Sequence, residues 1–155
     1  MKLGTLCYIR KNNTTLLLHR DKKEHDEMHG YWIGLGGKVD IDHGETPDEC
    51  IVREVHEESG LTVKPKLRGI ITFRNVASEM SDWYAYIFTA DEYTGKLVDS
   101  HEGTLGWIKD NELKKLSIPE GDMVFIHWLQ KDTGLFSAKF VYKNRKLQDY
   151  SVIFY

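Results

Sequence analysis

The run Gly36-Gly37-Lys38-Val39-Asp40-Ile41-Asp42-His43-Gly44-Glu45-Thr46-Pro47-Asp48-Glu49-Cys50-Ile51-Val52-Arg53-Glu54-Val55-His56-Glu57-Glu58-Ser59-Gly60-Leu61 decides how this chain is read. Its centre carries a full set of helix signals. Thr46 suits an N-cap, Pro47 the first helical position, Glu49 completes a capping box, and Gly60 supplies a left-handed stop. On the resulting 46–59 helix each residue turns by about 100°, so Glu54, Glu57 and Glu58 share one arc and Ile51, Val52 and Val55 the adjoining one. Such a helix buries its apolar stripe and carries three carboxylates along the edge. Like charges at these spacings repel by a few tenths of a kcal/mol per exposed pair, and by more when partly buried, so a compensating charge is expected. A hard divalent cation is one candidate, because Mg²⁺ combines carboxylates with water and phosphate oxygens. A solvated acidic face is the plainer one.

Outward from this helix, strands dominate. Residues 3–10 and 14–20 read as strands around a turn at Lys11-Asn12-Asn13, followed by a polar loop at 21–30 and a short strand running from Trp32 into Gly36-Gly37. Segments 61–74 and 83–90 are rich in β-branched and aromatic residues, and Trp107-Ile108 suggests a further short strand. Helices are expected at 110–116 and 122–131, and a closing hairpin from 135–142 and 147–155. No repeat, low-complexity tract or linker divides residues 1–155, so one α+β domain with a mixed sheet is expected.

Composition narrows the function. The chain has 155 residues with 21 Lys+Arg against 24 Asp+Glu, a formal charge of −3. A chain of this length buries roughly 68–70% of its unfolded surface, enough for a core without staples. With only Cys7 and Cys50, neither a disulfide framework nor a thiolate zinc site is expected. No apolar run approaches a bilayer span, and the first twelve residues do not make a signal peptide, so a cytoplasmic protein without membrane contact is expected. The charge is uneven: residues 38–58 hold eight acids and two bases, a local −6 against +3 elsewhere. A mildly acidic whole argues against a nucleic-acid polymer as partner.

The pattern Gly37, Glu45, Arg53-Glu54-Val55-His56-Glu57-Glu58-Ser59-Gly60-Leu61 resembles the Nudix box, with one departure. Seven residues separate Gly37 from Glu45 where the family has five, so Asp40-Ile41-Asp42-His43 is expected to be a turn lengthened by two. The resemblance extends along the chain through His19-Arg20-Asp21-Lys22-Lys23, Tyr31-Trp32-Ile33-Gly34-Leu35, Asp82-Trp83-Tyr84, Glu102 to Trp107 and Phe136 to Tyr142. These segments are similar to the MutT/MutX-type 8-oxo-dGTP diphosphatases.

That resemblance implies a Nudix fold, a mixed sheet between helices, and Mg²⁺-dependent hydrolysis, with Mn²⁺ as a substitute, of a nucleoside triphosphate to monophosphate and pyrophosphate. It implies Glu54, Glu57 and Glu58 as metal ligands with the Gly37 carbonyl, and Glu102 as a further ligand or as the residue that orients the attacking water. It gives Arg53 and Glu45 organising roles, and Lys23 a phosphate contact set against a solvent-exposed lysine. Trp32 and Phe73 would flank the base, with plain core positions as the alternative. Glu120 or Asp122 would read the purine edge, although a two-Asp readout is not preserved and Ile33 replaces an Asn used for base contact. The expected partner is a small nucleotide, and the protein a monomer or weak homodimer. Two rivals are a pyrophosphatase for another nucleoside diphosphate-linked substrate such as ADP-ribose, and a nucleotide-binding module without catalysis.

Overall fold

The computed structural model describes residues 1–155. Strand β1 (Lys2–Lys11) carries apolar side chains at consecutive positions, and side chains alternate across a strand, so it needs cover on both faces. Cys7 and Ile9 enter one core cluster while Tyr8, with Leu6 packed beside it, enters another. A tight turn at Asn12 and Asn13, with φ of 50° and 61°, leads into β2 (Thr14–His19). Asparagine tolerates this left-handed backbone better than most residues.

The elements follow as β3 (Trp32–Ile33), α1 (Pro47–Ser59), β4 (Thr62–Val63), β5 (Lys66–Val76), β6 (Trp83–Ala90), β7 (Tyr93–Thr94), β8 (Thr104–Lys109), α2 (Glu120–Leu129), β9 (Phe136–Lys143) and β10 (Lys146–Phe154). The main sheet runs β10-β9-β5-β6-β1-β2-β3, with β8 also on β2, and β4 and β7 form a separate pair. It is mixed: β1 runs parallel to β6 and β5 parallel to β9, and the remaining pairs are antiparallel. One face buries Ile51 and Val55 of α1 against Cys7, Ile9, Leu16 and Phe88. The other buries Phe125, Ile126 and Leu129 of α2 against Tyr8, Ile71, Ile87 and Phe140. The expected α+β mixed sheet between helices is the observed one.

Local signals hold where they are local. Thr46 caps α1 through a reciprocal box, its Oγ1 accepting from Glu49 N at 3.2 Å and its own N–H donating to Glu49 Oε2 at 2.9 Å. Gly60 ends the helix at φ 78°, donating its N–H to the His56 carbonyl. Four expectations shift. The strand expected at 61–74 divides into β4 and β5, which lie in different sheets. The 110–116 segment is a 3-10 helix (Asp110–Lys115) rather than an α-helix. The 107–108 strand lengthens because all of β8 pairs with β2.

The 122–131 helix starts and stops two residues earlier, at Glu120 and Leu129. Its end is set from outside: the buried Arg68 guanidinium donates to the carbonyls of Leu129 at 3.1 Å and Lys131 at 2.7 Å, satisfying oxygens a longer helix would have bonded itself. The lengthened turn of the box is a single 3-10 turn (Ile41–His43) closed by Gly44, and Asp40 accepts from His43 Nδ1 at 2.9 Å. It lies wholly on the surface.

Because the cap bond at Thr46 is exposed and local, Thr46→Ala is expected to lower stability by about 1 kcal/mol and Thr46→Gly by only a few tenths. Urea unfolding at unchanged m-value checks this; equal losses in the two variants would show that the capping bond is not what Thr46 contributes.

Candidate active site

The glycine run is fixed by β1. Leu35 and Cys7 exchange backbone hydrogen bonds of 2.6 and 3.1 Å, Thr5 N donates to Gly37 O at 2.9 Å, and Val39 N to Leu3 O at 3.0 Å. This lays Gly36 and Gly37 against the carboxylate edge of α1. Gly36 N donates to Glu58 Oε1 at 2.7 Å. A Cβ at Gly37 would fall 2.4–2.6 Å from the carboxylate atoms of Glu54, so the missing side chain is what admits that group. The Gly37 carbonyl itself accepts from both Thr5 N and Thr5 Oγ1, at 2.9 and 3.3 Å. In this structure it faces β1 and is engaged by Thr5.

Arg53 organises the acids, as the sequence suggested. Its Nε and Nη2 reach the two oxygens of Glu45 at 2.6 and 3.0 Å, and its Nη1 reaches Glu54 Oε1 at 2.9 Å and Glu57 Oε2 at 3.3 Å. The hydrogen bond from Arg53 pulls the Glu45 carboxyl down to about 2. Glu54, half-buried, is held above the ordinary carboxylate range by desolvation, more than Arg53 offsets. Glu58 is only 5% exposed and has no cationic partner. Desolvation and then the neighbouring Glu102 carboxylate raise it far above the ordinary range.

Glu58 Oε2 is buried without any hydrogen-bond partner. An unpartnered buried acid oxygen, among half-buried carboxylates that repel each other, fits a hard divalent cation in donor chemistry. The side chains do not converge on one point in ligand geometry as they stand, because Glu54 and Glu57 are turned onto Arg53.

A cleft of about 610 Å³ opens beside these acids. Glu54 and Glu102 stand in its wall, as do Phe73 and Asp122. Glu58 lies behind Gly36, and Glu57, 58% exposed, sits outside on the surface. Lys23 is exposed at the edge, 3.8 Å from Glu102. Trp32 does not line the cleft: its ring stacks on His19 at 4.6 Å, while its neighbour Ile33 faces the cleft. Trp32 also packs against the core cluster on the α2 face. Glu120 is exposed on the first turn of α2 and also lies outside.

Part of the cleft wall is apolar, with Leu6, Ile33, Phe73, Ala85 and Trp83 in it. Asp122 is the buried acid there, 6% exposed, and burial alone raises it to about 7. Beside it the Tyr142 hydroxyl accepts from Gly121 N at 2.6 Å, which leaves its own proton free, and the Tyr8 hydroxyl is buried without a partner.

Two residues of the wall were not anticipated. Arg20 donates to Glu102 Oε2 at 3.0 Å and to Asp26 Oδ2 at 2.5 Å, and all three line the cleft. Arg20 lies within a quoted motif, but its partners are distant in sequence or in an irregular loop, which no periodicity marks.

Comparison with known proteins agrees with this architecture. The NUDIX domain model matches residues 2–129. An uncharacterised Nudix hydrolase of Bacillus subtilis, YvcI, is 32% identical over 142 residues, covering 89% of this chain and 85% of its own. The zebrafish oxidized purine nucleoside triphosphate hydrolase is 36% identical over 114 residues, 72% of this chain and 70% of its own. The crystal structure of the MutT protein from Bacillus halodurans superposes with a TM-score of 0.82 at 32% identity, over 98% of this chain and 97% of that one. No helix is long and apolar enough to cross a membrane. The chain therefore belongs to the Nudix family and is a hydrolase of the MutT type.

Proposed function

We propose that this hydrolase cleaves oxidised purine nucleoside triphosphates, 8-oxo-dGTP foremost, to the monophosphate and pyrophosphate with Mg²⁺. The observation that carries this reading is a cleft that joins carboxylates to an apolar, aromatic wall. Glu54 and Glu102 line it with Glu58 behind Gly36, and the same wall holds Phe73 and a buried acid, Asp122. A purine fits the apolar part: Phe73 offers a ring face, and Asp122 an acceptor for ring N–H groups. Glu54, Glu57, Glu58 and Glu102 would hold the metal, which when bound neutralises phosphate charge and lowers the pKa of water. Glu102, in the wall and tied to Arg20, would accept a proton from the attacking water. Lys23, at the rim, would meet phosphate oxygens.

A second reading, a nucleoside diphosphate linked to another group such as ADP-ribose, is favoured by a specific observation. Of the two acids proposed to read the purine edge, only Asp122 lines the cleft, so a paired readout is not assembled. A panel of 8-oxo-dGTP, dGTP and ADP-ribose separates the two. The first reading expects 8-oxo-dGTP to be preferred in kcat/KM by at least about tenfold, within the reach of one or two recognised hydrogen bonds. Equal rates, or preference for ADP-ribose, would overturn it.

Three further outcomes follow from the same residues. Chelation by EDTA is expected to abolish turnover and added Mg²⁺ to restore it. Glu58→Gln is expected to lower kcat by about two orders of magnitude or more while leaving circular dichroism unchanged; wild-type turnover in that variant would remove Glu58 from the site. Near neutral pH, metal uptake is expected to release a proton, because burial and the Glu102 carboxylate favour the protonated form of Glu58, which must ionise to ligate. Calorimetry in buffers of different ionisation enthalpy reads the release, and a wild-type protein releasing no more than Glu58→Gln contradicts it.

Asp122 gives a pH signature in the ligand-free protein. Its carboxyl is raised from 3.8 to about 7, so between those values the native state holds a proton that the unfolded chain has lost. Stability then falls as pH rises through that window and levels off above it. Asp122→Asn lacks this slope. Urea unfolding from pH 4 to 8 should show wild type losing ground to Asp122→Asn up to pH 7; parallel curves would mean Asp122 is ionised throughout.

A further inference from the structure

The loop after β2 and the loop before β8 are laced together far beyond what chain connection requires. Lys22 Nζ donates to the Ser100 carbonyl at 2.8 Å, and Thr104 Oγ1 to Asp21 Oδ2 at 2.9 Å. Glu102 N donates to the hydroxyl of Ser100, a residue 2% exposed. Gly103 lies so close to β2 that a Cβ there would fall 1.7 Å from the His19 carbonyl oxygen. Through this contact runs a chain of charge. Arg20 Nη1 donates to Glu102 Oε2 at 3.0 Å, Arg20 Nε to Asp26 Oδ2 at 2.5 Å, and Asp26 Oδ1 accepts from Met28 N at 3.1 Å. The side chains of Arg20 and Asp26 are 17% and 10% exposed.

We propose that Arg20 is a positioning residue for hydrolysis, held by Asp26, which fixes the Glu102 carboxylate in the cleft and ties its place to the 21–30 loop. The proposal rests on the hydrolase reading above. A glutamate on a loop has several free side-chain torsions, and its other cation, Lys23, is exposed and 3.8 Å away. The planar, permanently charged Arg20 fork removes that freedom, since its own orientation is set by Asp26 on the other side. Two acids on one guanidinium leave the trio net negative. The same loop supplies His25, Asp26, Glu27 and Met28 to the cleft wall, so a ligand pressing on that wall acts on Glu102 through Arg20.

The test combines kinetics with amide hydrogen exchange of the metal-free protein for Arg20→Met, Arg20→Lys, Asp26→Asn, Glu102→Gln and the Arg20→Met/Glu102→Gln double variant. Arg20→Met is expected to lower kcat about tenfold or more with KM within about threefold, Asp26→Asn to do so less, and Arg20→Lys to recover part of the loss. If Arg20 acts through Glu102, adding Arg20→Met to Glu102→Gln changes kcat by less than about twofold. Exchange should quicken in both loops together, at 21–30 and at 99–104, in Arg20→Met.

Multiplicative kinetic losses, wild-type kinetics in Arg20→Met, or faster exchange in the 21–30 loop alone would each overturn the proposal. Where Arg20→Met does not fold, Asp26→Asn carries the same comparisons. A wild-type protein that turns over no nucleotide or diphosphate would sink the hydrolase reading, while the exchange experiment would still decide whether Arg20 ties the two loops.

Discussion

Arg53 is the group that lets this structure exist around its own site. The 38–58 segment carries a local charge of −6, and folding brings much of it to one edge of α1 and the glycine run beside it. The guanidinium takes Glu45 on one side and Glu54 and Glu57 on the other, so one cation is shared among three acids. The geometry matters as much as the charge. A guanidinium presents five donors in a rigid plane, and holding Glu45 with two of them fixes where the box turns into the helix. A lysine could not hold the same acids in the same directions. Arg53 does not reach Glu58, and so the deepest acid is left with a buried oxygen that no donor satisfies.

The backbone of β1 supplies the second constraint. Thr5 and Cys7 of this strand use their hydrogen bonds on the glycine run at its middle, while the β6 side of the same strand is paired in parallel along its length. The strand is thus a fixed rail on which the glycine run lies, and α1 is fastened to its face by Ile51 and Val55. Both partners of the acid–glycine contact are referenced to one element. The Gly36 N–H therefore meets Glu58 without either belonging to a flexible connection. The surface insertion at Asp40 to His43 leaves this arrangement untouched, because it closes on itself as one turn before α1 begins.

What was legible in the sequence is what short-range chemistry writes there. The Thr46–Glu49 box, the Gly60 stop, the two-sided apolar strands and the ordering of acids around Arg53 could be read because each depends on residues a few positions apart, or on periodicity. The helix face predicted three acids in one arc, and they are in one arc. It could not predict that they grade from buried Glu58 to exposed Glu57, since that depends on how far Gly36 and the Glu102 loop overlie the face. Trp32 and Ile33 were ambiguous for the same reason: neighbours on a two-residue strand, they are separated only by the folded cleft, which Ile33 lines. The Arg20–Glu102 contact spans 82 positions and leaves no local trace.

The two buried acids of the cleft are raised for different physical reasons, and that difference separates them by the kind of partner each can accept. Glu58 is raised by burial and by a second carboxylate, a repulsion that a cation relieves directly and a neutral donor relieves poorly. Asp122 is raised by burial alone, with no charged neighbour to repel it, so a few well-placed N–H donors suffice. A ligand that satisfies both must bring positive charge to one and polar N–H groups on a flat apolar body to the other. A metal-bound nucleotide has that distribution, and a metal ion or a free base alone has half of it.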